Sequence, residues 1–167
     1  MPMPQRGGQN RGPRRQGGNR PVVREEFKEK VLDMRRVTRV VAGGKRFRFR
    51  CTIVLGDERG RVGIGVAKGV DVQQAVAKAK VDAKKNMINV VLKDGRTIAH
   101  EVSAKYSAAK VLVKPASAGH GLRAGGAARF VLSFAGIKDA TAKVLGRTPN
   151  KLTNAMAAVE ALKQLKA

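Results

Sequence analysis

The sequence predicts an α+β fold built from two small units. Three observations carry this. In the first half, two turn-bounded extended stretches and a third, glycine-bearing one lead into a single amphipathic helical run. In the second half the order of strand, helix, strand and helix repeats around a glycine-rich loop, giving a β-α-β-α unit. The chain of 167 residues is 43% hydrophobic, enough for real cores in a domain of ordinary size or two small ones. The expected organisation is a tail over 1–24, a first unit over 25–86 and a second over 87–167.

The tail holds Arg6, Arg11, Arg14, Arg15, Arg20 and Arg24 among Gly, Pro, Gln and Asn, with no acid. It cannot bury enough apolar surface to offset its chain entropy, so it is expected to be disordered. It either orders on a polyanion or serves as a solvated leader. An organellar transit peptide would want serines and an amphipathic pattern, and neither is expected here.

Glu25 to Met34 is charged and reads as a short helix or the approach to a strand. Val37 to Val41 is extended, Ala42 to Lys45 turns through a glycine pair, and Arg46 to Leu55 returns as the second strand of a hairpin. In "RFRFRC" the odd positions run Phe47, Phe49, Cys51, Ile53, Leu55, and the even ones begin Arg46, Arg48, Arg50. Side chains alternate across a strand, so one face is apolar and the other basic. "GDERG" makes a turn, and Arg61 to Lys68 a third strand with Val62, Ile64 and Val66 on one side and Arg61, Gly63 and Gly65 on the other. Asp71 is placed to cap a helix running to about Asn86, with Val72, Ala75, Val76, Ala79 and Ala83 at helical spacing. That helix needs a sheet face, so Phe47 and Phe49 are expected in a core rather than stacked on bases. Gly63 and Gly65 either let a phosphate backbone approach the strand or are covered by another part of the chain.

In the second unit "NVVLKDGRTIAHEV" reads as strand, Asp-Gly turn and strand, and Lys110 to Ala116 as a strand ended by proline. The glycine-rich loop leads into a helix from about Gly125 to Ala135. A strand follows over Ala140 to Leu145, and a last helix starts at Pro149 or Asn150 with Leu152, Ala155, Met156, Val159 and Leu162 at helical spacing.

Thirty-five Lys and Arg against twelve Asp and Glu give a formal charge of +23, which points first to a nucleic-acid partner. No apolar run approaches the length of a membrane span, so no membrane partner is expected and the cytoplasm is the default address. One cysteine and two distant histidines suggest no metal site, no cofactor and no catalytic residues. The candidate phosphate contacts are Arg35, Arg36, Arg39, Lys45, Arg46, Arg48, Arg50 and Arg61, strong as a group and weak singly.

Two rivals stand beside this reading. "PASAGHGLRAGGAA" could cradle a nucleotide's phosphates at a helix N-terminus, as in a small-molecule kinase, but no magnesium carboxylate lies nearby. Lys78, Lys80, Lys84 and Lys85 could form the helix face of a free-standing duplex-RNA binder, or merely solvate that helix.

The blocks "GGKRFRFRC", "GDERGRVGIG" and "PASAGHG", in that order, closely resemble the family of small-subunit ribosomal protein five, bacterial type, over about Lys28 to Leu165. The resemblance implies a first domain similar to the double-stranded-RNA-binding fold, a three-stranded sheet plus helix. It implies a second domain sharing the fold of the galactose, homoserine and mevalonate kinases. It further implies binding to small-subunit ribosomal RNA, contact with ribosomal proteins four and eight, a place in the neck and mRNA entry region, and influence on translational accuracy. By the same resemblance, Thr38 to Arg46, with Gly43, Gly44 and Lys45 best matched, corresponds to a loop reaching the subunit neck near the spectinomycin site. Gly119, Gly121, Arg123, Gly125, Gly126 and Arg129 correspond to the surface facing ribosomal protein four. Relatives often carry a basic residue where this chain has Ala42 and Asn154.

Overall fold

The computed structural model describes residues 27–165, so the tail expected over 1–24 lies outside the described residues. Strand β1 (Lys28–Val41) pairs antiparallel with β2 (Gly44–Gly56), β2 with β3 (Arg61–Gly69), and β3 with a short β4 (Met87–Asn89), in the order β1-β2-β3-β4. From Lys28 on, the segment expected to be a short helix or the approach to a strand is therefore itself strand, while Glu25 and Glu26 lie outside the described residues. Its charged residues hid the pattern, but all residues from Lys28 to Val41 except Leu32 stand in register with β2, across a bulge between Val31 and Asp33. The sheet also gains a fourth strand, β4, beyond the three expected.

Helix α1 (Val72–Lys85) starts where Asp71 accepts a hydrogen bond from the Val72 N–H, 2.7 Å away. Its buried Ala75, Ala79 and Ala83 lie on the face that carries Phe49, Cys51 and Ile53. Register places Gly63 opposite Leu55, Gly65 opposite Ile53 and Gly69 opposite Phe49, so the glycines share that face. A Cβ on Gly65 would fall on the Ala79 carbonyl and the Ala83 N–H. Helix α1 itself therefore covers Gly63 and Gly65, and the phosphate-approach alternative is excluded there.

The basic face of β2 is basic only near the hairpin. From Thr52 to Gly56 both faces are buried, because Val54, Val62, Ile64 and Leu32 pack in one continuous core with Val131, Leu132 and Leu162 of the second unit. Backbone bonds tie the units as well, from the Glu58 N–H to the Phe134 carbonyl and the Gly60 N–H to the Ala135 carbonyl, each 3.0 Å.

The second sheet runs β5 (Val102–Tyr106), β6 (Ala109–Pro115), β8 (Ala140–Val144), β7 (Leu122–Arg123), with only the β7 and β8 pair parallel. Helices α2 (Gly126–Phe134) and α3 (Lys151–Lys163) bury its inner face, and Asn150 caps α3 by accepting from the Leu152 N–H at 3.1 Å. The strands expected on either side of the Asp94-Gly95 turn do not form as such. That stretch is a loop with one isolated bridge, Lys93 to Thr97, and the ladder begins only at Val102. A turn dipeptide closes a hairpin only where both flanks have a sheet to join, and here Val90 and Ile98 go into the core instead.

Candidate nucleic-acid interface

Beyond its buried root, the β1-β2 hairpin projects as a two-stranded ribbon with two distinct faces. Directly opposite residues share a face, so Arg35 with Arg50, Val37 with Arg48, and Arg39 with Arg46 stand together, and Lys68 joins from β3 opposite Arg50. An open cleft of ≈ 410 Å³ lies among Val37, Arg39, Arg46, Arg48 and Lys68, bordered by Thr38. Like charges placed directly across strands repel, and the only carboxylate bonded into this group is Asp33, 2.7 Å from the Arg35 Nε, among the described residues. The result is a ridge of guanidinium groups around a shallow cleft, a shape that suits a phosphate backbone.

The opposite face holds the phenylalanines. Phe49 packs against the core under α1, whereas Phe47 is 45% exposed and carries Arg36, whose Cζ lies 4.2 Å from the ring centroid. Core packing therefore holds for Phe49 and fails for Phe47, because α1 begins at Val72 and the sheet outruns it. Arg36 is consequently not on the cationic ridge; its cation-π contact turns it to the other side. Lys45, opposite Val40, belongs by register to that side too and is exposed near the tip. At the tip Gly44 takes φ +131°, a conformation that side chains resist, while Gly43 and Gly44 both open to free space.

Arg61 is far from the ridge, at the start of β3. Its Nε lies 2.6 Å from Asp57 Oδ2, and Asp57 also accepts from the N–H groups of Arg59 and Arg61 at 2.9 Å. Burial alone would raise the Asp57 pKa, but the Arg61 side chain and the two N–H groups outweigh it and lower the pKa. Arg61 thus braces a turn. On α1, Lys80 pairs with Glu29 at 2.8 Å and Lys84 lies 5.6 Å from the Phe27 ring centroid, so these two lysines face the protein's own β1 and the residue before it.

The glycine-rich segment is held by a residue with no local sequence signal. Asp139 is only 2% exposed; its Oδ1 accepts from the N–H groups of Gly121 at 2.9 Å and Gly119 at 3.1 Å, and its Oδ2 from Arg96 Nε at 3.0 Å. The Gly121 N–H, aided by Arg96 and Gly119, holds its pKa below the usual carboxylate range despite burial. Gly125 caps α2 without a side-chain bond and Gly126 is its first residue. Arg129 projects from α2 into a cleft of ≈ 460 Å³ beside Glu58, Ser133 and Lys138. Arg123 lies on β7 opposite Thr141. Sequence reasoning missed Lys68, Arg96 and Asp139; Asp139 lies 18 to 43 residues along the chain from the groups it binds.

Comparison with known proteins gives two matching family profiles. Residues 27–91 match "Ribosomal protein S5, N-terminal domain" and residues 104–167 match "Ribosomal protein S5, C-terminal domain". The small ribosomal subunit protein uS5c of Guillardia theta is 49% identical over 141 residues, covering 84% of this chain and 83% of that protein. The protein of the same name from Spinacia oleracea is 46% identical over 144 residues, covering 86% of this chain and 46% of that longer protein.

Proposed function

Because the chain belongs to the ribosomal protein S5 family of the small ribosomal subunit, we propose that it binds small-subunit ribosomal RNA through the hairpin ridge of Arg35, Arg39, Arg46, Arg48, Arg50 and Lys68. The observation that carries this is the register: Arg39 stands directly across from Arg46 and Arg35 from Arg50. Such pairs cost stability in the free protein and become favourable when phosphates lie over them and release their counterions. The earlier candidates Arg36, Lys45 and Arg61 are assigned to bracing or to the opposite face, and Lys68 takes their place.

With roughly six phosphate contacts, affinity should fall about a thousandfold between 50 and 200 mM salt. Replacing Arg46 and Arg48 by glutamine should make the slope of log affinity against log salt about two units less steep while the melting temperature holds. A variant that binds ribosomal RNA with the parental slope would sink the ridge assignment.

The finer reading follows the family resemblance. The open tip at Gly43 and Gly44 reaches the subunit neck and mRNA entry region, the segment from Gly119 to Arg129 faces ribosomal protein four, and ribosomal protein eight is a further neighbour. What supports it is the tip's freedom from the protein's own contacts and the rigid hold of Asp139 on the loop. Arg129→Glu should raise miscoding in a reporter strain; normal fidelity in that strain argues against the placement. The division into a tail over 1–24 and units over 25–86 and 87–167 belongs to this proposal, as does the cytoplasm as compartment. Recovery of a tagged chain only with organellar small subunits would overturn the compartment and leave the rest.

A further inference from the structure

Strand β1 is the outer strand of the first sheet and pairs only with β2 among the described residues. In an antiparallel pair alternate residues turn their N–H and C=O groups away from the partner, so the free side of β1 carries a row of backbone donors and acceptors. Near the root that row is closed: Leu32 enters the core, the bulge falls between Val31 and Asp33, and the Lys30 Nζ lies 5.5 Å from the Phe130 ring centroid on α2. From Met34 to Val41 every residue is exposed or half-buried. The two faces along this stretch differ. Arg35, Val37 and Arg39 stand on the ridge side, and no carboxylate is bonded to Arg39 among the described residues. Met34, 42% exposed, and Val40, 74% exposed, stand on the other side with Thr38. Arg36 shares that side, but its guanidinium sits over Phe47 on β2, drawn away from the free edge.

We propose that the free edge of β1 over Met34–Val41 docks an extended acidic protein segment as one further strand, in which carboxylates alternate with apolar side chains. An added strand lies about 4.8 Å from β1, so its carboxylates come beside Arg35 and Arg39 and its apolar side chains beside Met34 and Val40. RNA does not match the edge itself, because outward carbonyls would face phosphate oxygens, whereas a peptide offers an N–H to each carbonyl and a carbonyl to each N–H. A second copy of the chain would lay arginine against arginine and bring together two charges of +23. The arginines that keep neutral and basic strands off this edge are therefore the ones that select an acidic one. Since its carboxylates lie on the ridge side, the docked segment competes with RNA and holds the chain while RNA is absent. Only this competition rests on the ribosomal-RNA reading above.

The test titrates the full chain with a fluorescent eight-residue peptide that alternates glutamate and valine, and with a control of four glutamates followed by four valines. Backbone amide exchange is followed in parallel. The alternating peptide should bind at least about tenfold tighter than the control and slow exchange within Met34–Val41. Equal affinity for the two peptides, or no added protection in that stretch, overturns the proposal, because attraction between charges alone ignores residue order. Transcribed small-subunit ribosomal RNA should then displace the peptide; a peptide that stays on the edge beside bound RNA overturns the competition. If the alternating peptide docks while the Arg46→Gln, Arg48→Gln variant binds RNA with the parental salt slope, the edge site stands and the ridge assignment fails. If that slope falls as expected and the alternating peptide leaves the edge unprotected, the ridge stands and the proposal fails.

Discussion

The Arg96 guanidinium lies 3.0 Å from the Asp139 carboxylate and joins the Asp-Gly turn to the glycine-rich loop across the end of the second sheet. Asp139→Ala removes the acceptor of three donors at once, two of them backbone N–H groups with no substitute, so the melting temperature should drop by several degrees. The same pair sets an acid limit. The folded pKa of Asp139 is depressed, so its contribution is fully present above the unfolded carboxylate value of about 3.9 and drains away as pH falls through the lower folded value. Urea midpoints should therefore separate parent from Asp139→Asn at pH 6 and converge in strong acid; a constant gap would contradict the linkage.

Gly65 touches the backbone of α1, and an added methyl has nowhere to go. Gly65→Ala should cost about 3 kcal/mol, since the helix must lift off the strand or the sheet must bend. Gly43→Ala, with nothing within 4 Å, should shift stability by less than about 0.5 kcal/mol. Chemical denaturation of both variants checks the contrast, and equal losses would mean that α1 is not seated as described.

Phe47 and Phe49, two residues apart on one strand face, should respond differently to truncation. Phe49→Ala removes a ring packed on the core and should cost about 2 to 3 kcal/mol. Phe47→Ala removes an exposed ring held by Arg36 and should cost about 0.5 to 1 kcal/mol. Thermal melts of the two single variants provide the test, and a larger loss at Phe47 would reverse the assignment.

Cys51 is fully buried, and burial, followed by the nearby charges of Asp33 and Glu29, raises its thiol pKa. Labelling by an aromatic disulfide at pH 8 should be at least about a thousandfold slower in the folded protein than in urea, since access requires unfolding. Rapid labelling without denaturant would show that the sheet opens locally.

Much of this architecture can be read from residue order, for identifiable reasons. Asp71 and Asn150 announce the starts of α1 and α3 because a side-chain acceptor must satisfy a free N–H there, and the alternation through Phe49, Cys51 and Ile53 marks a strand under a helix. Glycine has no side chain to declare a face, so Gly63 and Gly65 were legible only once Ala79 and Ala83 were seen above them. The basic run was legible as a group, but the side chosen by each arginine depends on register: Arg35 and Arg36 are neighbours in sequence and lie on opposite faces. Asp139 was invisible because its partners arrive from other elements.

The hairpin is fastened at one end and open at the other: Thr52 to Gly56 are enclosed on both sides, while a Cβ added at Gly43 or Gly44 would meet nothing within 4 Å. Mechanically it is a cantilever. A substitution at Gly43 leaves the clamp untouched and will pass unnoticed in a calorimeter while altering whatever the tip touches, whereas Gly44, at φ +131°, resists a side chain by its own backbone. Sequence drift at Gly43 is therefore filtered by its neighbours in the assembly, not by the folding of the chain.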